Sequence, residues 1–598
     1  LRFFVSLIFL TVSTLSWAFE YNGVYYETRK SYDGTREIAY VYGWDRSLSS
    51  IVIPEEVTWS PVTYKVEGIS HSCFRNTTSL TSVTILGSLR SIGDYAFYGC
   101  TNLESVTISG SVQIIGDYAF SRCPKLTSIT IPSGVQTIGT RAFESCVGLT
   151  TLTIKNGVTS IGDFAFFDCE ALTSVSIPNS VTTIGKSAFS QCFKLTSANI
   201  GSGVTTISES AFRSCPLLKS ITLPASVTSI GKYAFCGCAF NSLSIPTSVK
   251  TIDENAFNGC RSLTSVTIPS NVSDIGNNAF TDCEKLVNVY INSNAVASKV
   301  YTSNNNFKTI FGNQVTKYTL GSTVKTLGNY AFYECSGVTS FSLSGNILEI
   351  GNYAFYGCSG VTSFSLPNYL GLIGYAAFKN CSGVTSFKIP SHVYTIGTEA
   401  FRDCAGLTSV TIPESVEMIG IQAFAGCSNL KKAEFGSIAG LCKIGFWSME
   451  SNPLFYAKHL YVDGEEVTDL VIPEGVKRIE GTAFYNCTAL KSVTIPSSVS
   501  NIGTSAFEGC TGLNSITCKT QSVPTAETNA FNNVPEDVTL YVAKAAVSDY
   551  QSTSPWSRFT NIQGINVGVV GLPGDANQNG EIEIGDVTKI LWIMAGGE

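Results

Sequence analysis

Asp575, Asn577, Asn579, Glu581, Glu583 and Asp586 stand at positions 1, 3, 5, 7, 9 and 12 of a loop that has Gly580 at position 6. Oxygen-bearing side chains at alternate positions, with glycine at the sharpest turn, form the spacing that wraps a chain around Ca²⁺, a hard cation taking six to eight oxygen ligands. Position 9 usually acts through water, so Glu583 is left out of the expected ligand set. Elsewhere the chain offers little chemistry of this kind. Its three histidines, His71, His392 and His459, lie far apart in sequence. There is no G-x-S-x-G elbow, H-E-x-x-H pair or phosphate-cradling glycine loop. Glu55–Glu56 and Glu465–Glu466 read as solvated corners rather than a pair of glycosidase carboxylates, and no enzymatic activity is expected.

The 20 cysteines first suggest a disulfide framework. Their placement argues otherwise, because 16 of them, Cys100 to Cys283 without Cys236, Cys335 to Cys427, Cys487 and Cys510, each follow a phenylalanine by three residues. If those positions are equivalent and inward, neighbouring thiols lie parallel about 4.8 Å apart, whereas a disulfide needs Cβ atoms near 3.8 Å and turned together. A ladder of reduced, buried thiols acting as small apolar groups is expected. Metal binding is the other reading, but Cys236 and Cys238 form the one C-x-C pair and no histidines accompany it. Cys73, Cys236, Cys442 and Cys518 fall outside the ladder.

That equivalence comes from a repeat. Phe97, Phe120, Phe143, Phe166, Phe189, Phe212 and Phe235 follow one another at 23 residues, as do Phe332, Phe355, Phe378, Phe401 and Phe424. Phe257, Phe280, Phe484 and Phe507 keep the same surroundings after changes of spacing. A fixed period in this range marks a solenoid, whose coils bury too little alone to offset the entropy of ordering them. Within one copy, SIGDYAFYGCTNLESVTI from Ser91 to Ile108, the apolar positions are Ile92, Ala96, Phe97, Cys100, Leu103, Val106 and Ile108. From Leu103 to Ile108 apolar residues alternate with Ser105 and Thr107, the pattern of a half-buried strand. Proline after most of these strands (Pro132, Pro178, Pro224, Pro269, Pro413, Pro496) ends them at one corner, and glycine after Ile (Gly93, Gly139) is read as suiting the next tight corner.

The unit resembles the BspA-like leucine-rich repeat family of bacterial surface proteins, whose coils read L-x-S-V-x-I-P, then V-x-x-I-G, then A-F-x-x-C. The resemblance covers roughly Ile51 to Tyr550. It implies a repeat solenoid: a right-handed curved stack of about 23-residue coils with a parallel β-sheet on the concave face. It also implies a secreted or cell-surface protein used in adhesion to host or bacterial surface proteins.

Residues 1–18 carry Arg2, an apolar run and Ser16-Trp17-Ala18, the pattern of a cleaved secretory signal too short to span a bilayer. Residues 19–70 read as an N-terminal cap and 71–537 as the solenoid, with irregular coils at 285–330 and 431–481. Residues 538–562 resemble the C-terminal cap of such repeats, closed by Trp556 and Phe559. A Gly- and Pro-rich linker, 563–573, precedes 574–598.

That last segment, the calcium loop followed by an apolar helix from Val587 to Met594, resembles half of a dockerin module. By that motif Asp575, Asn577, Asn579 and Asp586 would ligate by side chain and Glu581 by its carbonyl, and a cohesin-like partner is implied. Dockerins carry two such loops. Either a second loop lies beyond Glu598 or the module is a single-loop relative, and the missing initial Met likewise points to a longer protein.

Only 14% of residues are charged and the net charge is −7, which supports neither nucleic acid nor an anionic membrane as a partner, and no second run is long and apolar enough for membrane insertion. The repeat does build a surface. Ser105, Thr107, Ser128, Thr130, Ser174, Ser176, Ser265 and Thr267 are outward positions on successive strands. They are read either as residues that simply suit an exposed strand or as an extended face for a protein or polymer ligand. An ice-binding surface ranks below both, since a curved sheet offers no flat lattice. The irregular coil at 431–481 gathers aromatics, of which Trp447 and Tyr456 are the candidates for contact. The sequence thus points to a secreted binding or adhesion protein with a calcium-binding dockerin-like tail. The alternative is a non-catalytic, glycan-binding or scaffold-attached component of a polysaccharide-degrading assembly.

Overall fold

The structure, a computed structural model, describes residues 17–31, 34, 36–87 and 89–566. Most of the signal segment, the end of the linker and the whole dockerin-like tail, with Asp575, Asn577, Asn579, Glu581 and Asp586, lie outside the described residues. The described chain divides into two units, one running to Val296 with Phe307–Val315 added, the other formed by Ala297–Asn306 and the chain from Thr316 onward.

In the first unit most coils contribute two parallel strands where the sequence suggested one, the coil through Ser242 and Ile245 lacking the longer of them. The four-residue strand Ser105–Ile108 pairs with Ser82–Ile85 residue for residue, Ser105 beside Ser82 and Thr107 beside Thr84. The second is a two-residue strand, Ser91–Ile92, continued in register by Ile114–Ile115, Thr137–Ile138, Ser160–Ile161 and Thr183–Ile184. Two residues are too few to show an alternation, so although the Ile recurs with the repeat, the sequence does not mark it as part of a strand.

The third side of the coil is neither helix nor strand, yet its backbone is satisfied. Tyr95, Phe97 and Gly99 donate N–H groups to Asp117, Ala119 and Ser121 of the next coil at 2.7–2.8 Å, while Ala96, Tyr98 and Cys100 donate three residues back within their own coil at 3.1–3.3 Å. The alternation requires left-handed backbone at Tyr95 (φ 57°) and Gly99 (φ 69°), repeated at Tyr118 and Arg122. Polar side chains add rungs: Asp94 Oδ1 accepts the Asp117 N–H at 2.8 Å and Asp117 Oδ1 accepts the Thr140 N–H at 2.7 Å.

The glycine after Ile has a different purpose from the tight corner expected of it. Gly139 lacks a positive φ, but a Cβ there would stand 2.6 Å from the Gly116 carbonyl carbon and 2.7 Å from the Asp117 nitrogen. A side chain at Gly139 would require the preceding coil to move away, as it must where Ser208 and Asp253 fill the same place in other coils.

Inside, the repeated phenylalanines form one column. From Phe74 to Phe311, through Phe97, Phe143 and Phe235, successive rings lie 4.8–5.7 Å apart and nearly parallel, close to the spacing of the strands outside them. The column is covered at its start by Trp44, 5.8 Å from Phe74. Trp44 ends Glu37–Trp44, which joins an antiparallel sheet on one side and pairs in parallel with Val62–Ile69 on the other.

The second unit repeats this plan. Phe332 to Phe424 stack at 5.2–5.4 Å, and Phe484, Phe507 and Phe531 at 5.2–5.7 Å. Buried Trp556 covers Phe531 at 4.8 Å and donates its indole N–H to Pro524 O at 3.0 Å.

All 20 cysteines are free. In the ladder most thiols donate to the carbonyl of a phenylalanine one coil back, as from Cys146 Sγ to Phe120 O at 3.2 Å and from Cys381 Sγ to Phe355 O at 3.2 Å. The sulfur is therefore a buried, hydrogen-bonded, neutral group, and burial pushes the thiols of Cys100 and Cys146 up to about 12.

Candidate recognition surfaces

Along the three- and four-residue strands of the first unit, apolar side chains point into the core and Ser and Thr out. Ser105, Thr107, Ser128, Thr130, Ser174, Ser176 and Thr267 are exposed, and Ser265 is half-buried. Register brings these hydroxyls beside others: Ser128 and Thr130 lie beside Thr151 and Thr153, Ser174 and Ser176 beside Ser197 and Asn199, and Ser265 and Thr267 beside Asn288 and Tyr290. The outward positions from Ser82 to Tyr290 on these strands carry no charge. Among the described residues, the hydroxyls of Ser105, Thr107, Thr130, Ser176 and Thr267 accept and donate no intramolecular hydrogen bond, so their capacity faces outward. The corresponding strands of the second unit differ, with Lys388 on Ser386–Lys388 and Lys432 and Glu434 on Lys432–Phe435.

Trp447 and Tyr456 belong to the second unit and to a different kind of structure. Residues 448–457 are a splice between coils. Ser448 Oγ accepts the Gln422 N–H at 2.9 Å and Ser451 Oγ donates to Gly420 O at 2.8 Å, tying the segment to the coil before it. Buried Asn452 donates to Thr482 O at 2.6 Å and accepts the Leu454 N–H at 3.0 Å, Asn486 donates to Phe455 O at 3.0 Å, and Phe455 stacks on Tyr485 at 5.7 Å, tying it to the coil after. Tyr456 takes part in this fastening, its hydroxyl accepting the Gly426 N–H at 2.9 Å. Trp447 is 62% exposed and faces solvent. The aromatic concentration is visible in the sequence, whereas the serine and asparagine side chains that stand in for some of the backbone rungs are not, the rung from Phe424 N–H to Glu450 O being kept at 3.1 Å.

Among the described residues no group of three His, Cys, Asp or Glu is placed to hold a metal ion, and no helix is long and apolar enough to cross a membrane.

The model for the BspA type leucine rich repeat region matches in six copies, over residues 39–151, 67–196, 136–239, 182–308, 303–431 and 458–550. The chain belongs to this family. The BspA type repeat thus accounts for both units. Solved structures similar to the chain include a leucine-rich repeat protein from Bacteroides ovatus, 29% identical over 70% of this chain and 94% of that one with a TM-score of 0.43. A leucine rich cell surface protein from Faecalibacterium prausnitzii is 25% identical over 73% and 99% of the two chains, with a TM-score of 0.25. A leucine-rich repeat protein of T. pallidum is 27% identical over 36% and 86%, with a TM-score of 0.28. No curated protein matches the chain.

Proposed function

We propose that this BspA type protein is a secreted or cell-surface, non-catalytic binding protein that holds a protein or polymeric ligand on the hydroxyl face of its first unit. The observation that carries this reading is the uncharged set of outward Ser, Thr and Asn side chains between Ser105 and Asn288, aligned in register within short groups of strands, with hydrogen-bonding capacity left free at Ser105, Thr107, Thr130, Ser176 and Thr267. A repeated donor and acceptor pattern suits a ligand that itself repeats or extends, and many weak contacts add through multivalency.

Capture of the purified chain on a panel of matrix proteins and neutral glycans tests the reading. Binding to such a face should change less than about threefold between 50 mM and 500 mM salt, because its contacts are uncharged. A loss of about a hundredfold over the same range would assign capture to charged groups elsewhere.

The dockerin-like tail adds a calcium site. Its donor set of Asp575, Asn577, Asn579, Glu581 and Asp586 is all-oxygen, as Ca²⁺ requires, and through it the protein would join a cohesin-like partner. Calorimetry on the full chain should give about one calcium per chain, lost in Asp575→Ala or Asp586→Ala, with the melting temperature of the repeat body unaltered by a chelator. Undiminished calcium binding in both variants would remove the assignment.

A further inference from the structure

In a regular coil the two-residue strand is tied to its predecessor. Ser500 N–H reaches Lys477 O at 2.9 Å and Gly503 N–H reaches Ile479 O at 2.8 Å. One step earlier that ladder is missing. Gly445–Phe446 is the last strand of a six-stranded sheet and Arg478–Ile479 the first of a separate three-stranded one. At this level the two segments are joined by the Glu480 N–H, which reaches back to Cys442 O at 2.9 Å instead of to Phe446. The splice at 448–457 holds the coils together on the turn side, and on this side a cleft of about 300 Å³ is left open, with Cys442 and Lys443 on one wall and Gly475 to Arg478 on the other.

The cleft is rich in donors. Lys443, Lys477 and Arg478 face one carboxylate, Glu480, in a chain whose net charge is −7. Glu480 Oε1 holds Arg478 through Nε at 2.9 Å, a grip that leaves the two terminal nitrogens of the guanidinium available. Lys443 and Lys477 have no carboxylate within ion-pair distance among the described residues, whereas Lys186, Lys232 and Lys379 are paired with glutamates at 2.8–2.9 Å. The N–H groups of Lys477 and Arg478 add to this. Their counterparts Gln136 and Thr137 donate to Gln113 O in the preceding coil, and here no strand of the preceding coil is paired to take that bond. Backbone N–H groups beside three cations make a site for an anion, and the volume lies at the small end of ligand sites.

We infer that the cleft between Lys443 and Lys477–Arg478 binds an oxyanion, a sulfate or phosphate ester carried on a single sugar-sized group. This site is separate from the hydroxyl face and does not depend on it.

Calorimetric titration of the full chain with inorganic sulfate and inorganic phosphate, then with glucose 6-sulfate, glucose 6-phosphate and glucose, tests the inference. Saturable binding of at least one ester and none of glucose is expected, weakening at least tenfold between about 50 mM and 500 mM salt. A preference between the esters identifies the source of the oxyanion, and equal binding marks recognition of the oxyanion itself. Lys443→Gln with Lys477→Gln, and separately Arg478→Gln, should each weaken binding about tenfold or more. All three residues are exposed, so the thermal transition should hold. Lys125→Gln with Lys219→Gln, exposed lysines of the first unit, should leave binding unchanged. Absence of saturable binding, equal binding of glucose, or an equal loss in the control pair would overturn the inference.

Discussion

Brought from pH 8 to about pH 10.5, the repeat body should unfold cooperatively, while at pH 8 it stays intact. The cause is the thiol ladder. Burial pushes Cys100, Cys146, Cys381, Cys427 and Cys510 up to about 12 from an ordinary 9.0. Between pH 9 and 12 the folded chain keeps these protons and the unfolded chain has released them. Unfolding therefore releases protons and is favoured as pH rises: the contribution is whole below pH 9 and lost on the way to 12. Each such thiol removes about 1.4 kcal/mol per pH unit above 9, so a few of them at pH 10 to 10.5 consume a stability that for a domain is about 5–15 kcal/mol. Circular dichroism followed together with thiolate absorbance should show the two signals moving as one transition. The native protein at pH 8 should meanwhile resist a thiol reagent that titrates the denatured chain in full. Thiolate appearing near pH 9 with the fold intact would show the ladder to be open to solvent.

How far this could be foreseen depends on how much sequence each feature occupies. The column from Phe97 to Phe235 and the thiols three residues after each ring were legible because a buried position in a stacked coil admits few residue types and repeats them at 23. The turn side was not. Its left-handed positions are filled by Tyr95, Arg141, Ser187 and Asn255 alike, since the backbone sets that conformation through bonds to the next coil and leaves the side chain free. Gly139 was read as a corner and is a point of close approach, a distinction that rests on where another coil passes and so cannot be seen in one repeat.

The surfaces were legible to different degrees. Alternation within Ser105–Ile108 was enough to say that Ser105 and Thr107 face out, and the register that sets Thr130 beside Thr153 follows from the constant period. At 431–481 the period fails, and with it the means of placing side chains. Tyr456 and Trp447 looked equivalent as aromatics, yet one fastens the Gly426 N–H and the other stands in solvent. The cleft lined by Lys443, Lys477 and Arg478 had no linear signature, because residues more than thirty positions apart meet there through a break in a ladder.

The central claim is that the hydroxyl face of the first unit is the recognition surface. Thr130→Lys, Ser176→Lys and Thr267→Lys, made together, test it most directly. All three side chains point away from the core, so each change should cost less than about 0.5 kcal/mol of stability and the thermal transition should stay within about 2 °C of the parent. Three buried ammonium groups against an uncharged ligand would leave desolvated charge unpaired, and affinity for whichever panel member the chain captures should fall about a hundredfold or more. Affinity measured by surface plasmon resonance is the readout. Unchanged affinity in the triple variant, with binding lost instead in Trp447→Ala, would place recognition beside the splice and contradict the account.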